Sequence, residues 1–154
     1  MAKKPEDDGR KLVARNKRAR YRYEILSKVQ AGLVLRGSEV KSIRQGRVAL
    51  SDAFARFRNG ELYLVNCHIA TYDDASYNNH EPLRSRKLLL TKREIGKIRA
   101  KIDQRGQTIV PLSLYFTRGL AKVELGVCRG KATHDRRESL KKREAEREMR
   151  RSYR

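Results

Sequence analysis

The chain carries little with which to catalyse a reaction, hold a metal or cross a membrane. It has three histidines, His68, His80 and His134, set in a strand-like stretch, a loop and a terminal tail, and no serine or acid motif surrounds any of them. Cys67 and His68 are neighbours along an apparent strand and so point to opposite faces, which excludes a tight ligand pair. The second cysteine, Cys128, has no close-spaced partner either, and both read as reduced, buried small hydrophobes. Acid is scarce, with Asp73-Asp74 the one adjacent acidic pair between the two chain ends, too little to organise a metal-dependent nuclease. No apolar run approaches a membrane span or a signal-peptide core, so a soluble, cytoplasmic protein without membrane contact is expected. Neither catalysis, metal nor cofactor is expected.

What the chain has in excess is positive charge. Its 154 residues hold 38 Lys and Arg against 18 Asp and Glu, a formal charge of +20. That exceeds what solubility requires and points to a polyanion: RNA, DNA or an anionic membrane. Residues 1–22 carry +6 and residues 131–154 carry +5, which leaves +9 on the middle segment. A basic centre with two basic ends suggests a shaped binding surface with arms, not a neutral domain with a sticky tail. Three parts are expected: an N-terminal arm over 1–22, a β-barrel over 23–130, and a tail over 131–154.

The stretch from Asn79 to Leu90 is the most informative. Asn79 and Pro82 favour a turn, Leu88, Leu89 and Leu90 form an apolar run that calls for burial, and Arg84, Arg86 and Lys87 lie between them. A turn anchored by a buried run would hold these cations at a fixed surface position, where arginine grips phosphate through planar, bidentate donors. His80, within the turn, reads equally as a contact or as a solvated loop residue.

Residues 10–22 hold seven cations and no acid, so like-charge repulsion predicts a loose arm until a polyanion neutralises it. Alternating apolar positions predict a strand from Tyr23 to Leu35 with a bulge or bend at Gly32. Ser38 can cap a short helix ending at Gly46. Asn59-Gly60 predicts a tight hairpin between Phe54–Phe57 and Leu62–Leu64. A long loop is expected from Tyr72 to Arg86. Thr91 with Glu94 forms a capping box for a helix lined by Ile95, Ile98 and Ile102, whose Lys92, Arg93, Lys97, Arg99 and Lys101 read as a solvated face as readily as a contact. Strands over Thr108–Phe116 and Leu120–Val127 turn near Arg118-Gly119. About six short strands with tight turns indicate a mainly β fold, a small closed antiparallel barrel with short helices. Past Gly130 the tail has almost no apolar face, which predicts disorder in the free protein and a helix once RNA neutralises Arg136, Arg137, Lys141, Lys142, Arg143 and the arginines beyond.

Five motifs in order resemble the small protein B family, the SsrA-binding proteins of bacterial trans-translation. They are Asn16-Lys17-Arg18-Ala19-Arg20, Ala31–Leu35, Gly37–Ser42, Arg84–Leu90, and Gly130-Lys131 followed by His134-Asp135-Arg136-Arg137. The resemblance implies an oligonucleotide-binding-type barrel. It implies an RNA-binding adaptor that grips the elbow of the tRNA-like end of transfer-messenger RNA, travels to a stalled ribosome with elongation factor Tu, and sends its tail into the small-subunit decoding region and the empty messenger channel. By that likeness the RNA-binding residues are Asn16, Lys17, Arg18, Arg20, Lys41, His80, Arg84, Arg86, Lys87, Leu89 and Lys122. Glu39 is expected to buttress neighbouring cations. The ribosome-contacting tail residues are Lys131, His134, Asp135, Arg136, Arg137, Lys141, Lys142 and Arg143. His134 could stack on a base or be an exposed linker residue, and the resemblance favours stacking. Gln30 stands where the family commonly has an acid, and Ala132 where a second lysine is usual. The rival reading is a ribosomal protein or general RNA chaperone with a similar barrel.

Overall fold

A computed structural model describes residues 10–72, 79–103, 106–130 and 133–152. In chain order the elements are β1 (Lys11–Arg15), α1 (Ala19–Arg22), β2 (Tyr23–Leu33), α2 (Gly37–Arg44), β3 (Val48–Ala49), β4 (Phe54–Arg58) and β5 (Glu61–Val65). There follow β6 (His68–Ile69), β7 (Arg86–Leu89), α3 (Lys92–Ile102), β8 (Gln107–Thr117), β9 (Leu120–Gly130) and α4 (Thr133–Ser152).

The antiparallel order β8-β4-β5-β7-β2-β9 closes on itself through the β8–β9 pairing, so six strands form a barrel and β1 pairs alongside β8. Closure demands strong local twist, which extra residues in a strand supply. Register shifts fall between Ile25 and Ser27 on β2 and between Pro111 and Ser113 on β8. The second accommodates Pro111, which cannot donate to a ladder. The distortion expected at Gly32 is thus six residues earlier. Gly32 itself stays in register with Leu89 on one side and Lys122 on the other, and a Cβ there would stand 3.2 Å from Leu89 Cβ.

Inward positions of the ring, among them Leu62, Leu64, Leu88, Ile109, Leu114, Val123 and Leu125, form one buried core, joined by Ile43 from α2 and Ile98 from α3. The hairpin turns at Asn59 (φ 50°) and Gly60 (φ 77°), the positive angles that Asn-Gly tolerates. Thr91 and Glu94 form the expected reciprocal cap on α3. On α2 the N-cap is Arg36, not Ser38. Glu39 accepts from the Arg36 backbone N–H at 2.8 Å, and Ser38 turns inward to His80.

One expectation fails at the N-terminal end of the chain. Residues 11–22 are not loose: β1 pairs with β8, and Ala19 of α1 is buried against Val110 and Cys128 in a second small core. Asn16 is 8% exposed and donates through Nδ2 to the carbonyls of Pro111 (2.9 Å) and Leu50 (3.3 Å). The count of cations concealed these contacts, because the charged side chains project outward while Val13, Asn16 and Ala19 hold the segment down. Over Thr133–Ser152 the tail is a helix, the form expected of it with RNA bound. Strong helix formers occupy it, and Glu138–Lys142 and Glu146–Arg150 fall at the i, i+4 spacing that supports a helix without tertiary packing.

Candidate nucleic-acid interface

The turn that the sequence suggested for phosphate binding is built around a buried ion cluster. The carboxylate of Glu39, with no side-chain exposure, accepts from Arg84 Nη2 at 2.5 Å and from Arg86 Nε. Burial alone would push the Glu39 carboxyl up, but the hydrogen bonds from Arg84, the Arg36 backbone and Arg86 outweigh it and hold it below its ordinary 4.5. Arg86 is itself fully buried. Its remaining donors reach the carbonyls of Cys67 at 2.6 Å and Pro82 at 3.1 Å. The turn does not present Arg86 to a ligand; Arg86 holds the turn. Period two explains the error, because in a strand starting at Arg86 the side chain shares the inward face of Leu88, while Lys87 and Leu89 face out. Reading Leu88 to Leu90 as a single apolar run hid the alternation.

His80 is another internal fastener. It is 3% exposed, and its Nε2 lies 2.9 Å from the Ile69 carbonyl, which can only accept, so Nε2 carries the proton and Nδ1 accepts from the Ser38 hydroxyl at 2.9 Å. Asn79 bridges backbone N–H and C=O of Tyr72, at 3.1 and 2.8 Å, pinning together the ends of the 73–78 segment, which lies outside the described residues. Arg86 and His80 are therefore corrected from contact residues to supports, and Asn16 acts as a support through its Nδ2.

The exposed candidates collect on the outside. Gly32 pairs with Leu89 on β7 and Lys122 on β9, Lys122 pairs with Tyr115 on β8, and Tyr115 pairs with Leu12 on β1. These five lie on the outer face, since their strand neighbours Leu33, Leu88, Val123, Leu114 and Val13 belong to the core or pack against it, although Tyr115 is covered there and only 1% exposed. Leu89 is 53% exposed, and Lys122 stands about 10 Å away, two strand spacings, across a glycine that leaves the floor between them bare. Lys87, beside them, is partly exposed and pairs with Glu61 at 2.9 Å. Exposed Lys41 places its Nζ 5.3 Å from the Tyr72 ring centroid.

Barrel curvature turns the far end of this row toward a second surface. There a groove of about 560 Å³ is bordered by Arg15, Lys17, Arg20, Lys28 and Arg143, with Arg10 stacked 4.0 Å over the Tyr115 ring. Arg143 of α4 also lies 5.8 Å from the Tyr21 ring, so the tail helix meets α1. Sequence reasoning missed Lys28 and took Arg10 and Arg15 only as members of a loose basic arm, not as walls of a groove. Arg18 and Arg20 leave α1 toward different hollows, Arg18 on the side away from this groove. Lys141 and Lys142 are exposed; His134, Asp135, Arg136 and Arg137 lie in the first turns of α4, and Lys131 lies outside the described residues.

Burial pushes the thiols of Cys67 and Cys128 up to about 11. His68, exposed beside buried Cys67, faces elsewhere. Among the described residues no three His, Cys, Asp or Glu side chains gather as metal ligands, and no helix is long and apolar enough to cross a membrane. The outer row and the groove together offer cations and exposed apolar surface, components of a sequence-tolerant RNA contact, while the Tyr115 ring lies closed beneath Arg10.

The model of the SmpB protein family matches residues 13–154. An SsrA-binding protein of Salinispora arenicola is 52% identical, covering 96% of this chain and 93% of its own. One of Geobacillus thermodenitrificans is 51% identical, covering 97% and 96%. A solved chain from a study of tmRNA-SmpB at the center of the bacterial ribosome superimposes with a TM-score of 0.67 at 49% identity, covering 82% of this chain and 93% of the other. On a match that runs almost from end to end, the chain belongs to the SmpB family.

Proposed function

We propose that this protein is a non-catalytic RNA-binding adaptor of trans-translation that acts in the cytoplasm. It binds the tRNA-like domain of transfer-messenger RNA and helps deliver it to stalled ribosomes. The near full-length identity to SsrA-binding proteins carries this reading. The geometry supports it: the outer face around Gly32, with Lys87, Leu89 and Lys122, suits a structured RNA read by shape and charge, while the arm groove and α4 offer a second basic surface facing another way. Two such surfaces let one small protein bridge two RNAs. In this reading α4, with Lys131, His134, Asp135, Arg136, Arg137, Lys141, Lys142 and Arg143, engages the small-subunit decoding region and the vacant messenger channel. Elongation factor Tu would carry the protein and its RNA together.

Truncation after Gly130 separates the two surfaces. Because no side chain of α4 among the described residues joins either core, the barrel should keep its stability and most of its transfer-messenger RNA affinity. Tagging of stalled nascent chains should collapse. Conversely, changing Lys87, Leu89 and Lys122 together to Ala should weaken transfer-messenger RNA binding by about 1–3 kcal/mol with the fold intact. A triple variant that binds as the parent does refutes the outer face, and a truncation that still tags refutes the tail. Comparable affinity for unrelated structured RNAs would favour a general RNA chaperone.

A further inference from the structure

On the other side of α1 from the arm groove lies a hollow of about 320 Å³, at the small end of ligand-sized cavities, about 300–1,000 Å³. Its wall includes Asn16, whose Nδ2 is fully engaged with Leu50 and Pro111 while its Oδ1 is buried without a hydrogen-bond partner. A buried acceptor left unsatisfied is costly, and a native structure keeps few of them. Around it stand the aromatic rings of Tyr23 and Phe54, the carboxylate of Asp52, and the guanidinium-bearing Arg18 and Arg22. Neither core uses Asp52, Arg18 or Arg22, and none of the proposed contacts with structured RNA requires the hollow.

We infer that this hollow receives one unstacked nucleobase that carries an exocyclic amino group, an inference that rests on the RNA-binding reading and extends it. Tyr23 and Phe54 supply apolar and stacking surface. Arg18 and Arg22 meet the flanking phosphates. Of the polar groups lining the hollow, the Asp52 carboxylate and Asn16 Oδ1 can only accept, which rewards an amino donor over the carbonyl edge of uracil, whereas the Ser51 and Thr108 hydroxyls serve either edge. Asn16 also lines the arm groove, whose Lys17 and Arg20 lie on the other side of α1. A strand whose phosphates follow that groove could place one base beyond α1 in the hollow.

Cytosine and uracil test the inference best, because they share a ring size and differ at the 4-amino group. Fluorescence anisotropy of the full-length protein at constant salt should find hexacytidylate bound about fivefold or more tightly than hexauridylate, the discrimination expected of one good base-edge contact. Asp52→Ala, at an exposed position, and Phe54→Leu should each bring that ratio close to one. The Asn16 side-chain amide signal in a ¹⁵N-correlated NMR spectrum should move with hexacytidylate and stay in place with hexauridylate. Equal binding of the two oligomers by the parent, or an undiminished preference in both variants, overturns the inference. Binding of free cytidine monophosphate as tight as that of the hexamer overturns the strand placement. Transfer-messenger RNA binding measured in parallel tells this failure from a failure of the adaptor reading, since the outer face around Gly32 is unchanged in both variants.

Discussion

Replacing Glu39 with Gln tests the internal organisation of this protein most directly. The substitution keeps the side chain's shape and removes its charge, leaving Arg86 fully buried with carbonyl partners alone and Arg84 without its carboxylate. Breaking a buried ion pair from one side costs about 3–5 kcal/mol, because the remaining charge has no access to water. At about 2–4 °C per kcal/mol for a chain of this size, Tm should fall by roughly 10 °C. Arg86→Met should cost a comparable amount. The double variant Glu39→Leu/Arg86→Met exchanges the pair for apolar groups and should be less destabilised than the sum of Glu39→Leu and Arg86→Met measured singly by about 1 kcal/mol or more. The pH dependence has a definite sign. A carboxyl held below 4.5 in the folded state binds fewer protons there than in the unfolded chain, so its contribution is complete above about 4.5 and is lost as pH falls through the folded value. Calorimetric melts from pH 7 to pH 3 should therefore show a steep acid limb in the parent and a shallower one in Glu39→Gln. Single variants melting within about 2 °C of the parent, or strictly additive effects, would refute a cooperative cluster.

Adjacent leucines should separate folding from binding. Leu88→Ala should cost about 2–5 kcal/mol of stability in denaturant unfolding, whereas Leu89→Ala should leave stability nearly unchanged and weaken RNA binding in a filter assay. Neutralising Arg15, Lys17 and Arg20 together should reduce the slope of log affinity against log salt by about 2, near 0.7–0.9 for each lost phosphate contact, with little change in discrimination among RNAs. Cys67 and Cys128, with thiols near 11, should resist a thiol reagent at pH 8 in the folded protein and react at once in denaturant.

Much of the architecture is local and so legible. The Asn59-Gly60 hairpin, the Thr91–Glu94 cap, the Arg118-Gly119 turn and the β8 and β9 strands each follow from backbone angles and spacing that a few neighbouring residues dictate. The excess of charge announced a polyanion, and the order of five motifs pointed to the family that the end-to-end comparison then bore out.

Which charges face that polyanion was decided by tertiary structure alone. Arg84, Arg86 and Lys87 look equivalent in sequence, yet Arg86 is sealed against Glu39 from 47 residues away, Arg84 is half-buried on the same carboxylate, and Lys87 faces outward from the strand. His80 and Asn16 were likewise read as contacts and became fasteners, because their partners Ser38, Ile69, Leu50 and Pro111 reach them only when the barrel closes. Charge is a property of a residue, whereas exposure depends on what distant strands bring beside it. The barrel brings Gly32 between Leu89 and Lys122, and lays Arg10 over Tyr115, by pairing strands that no local signal connects.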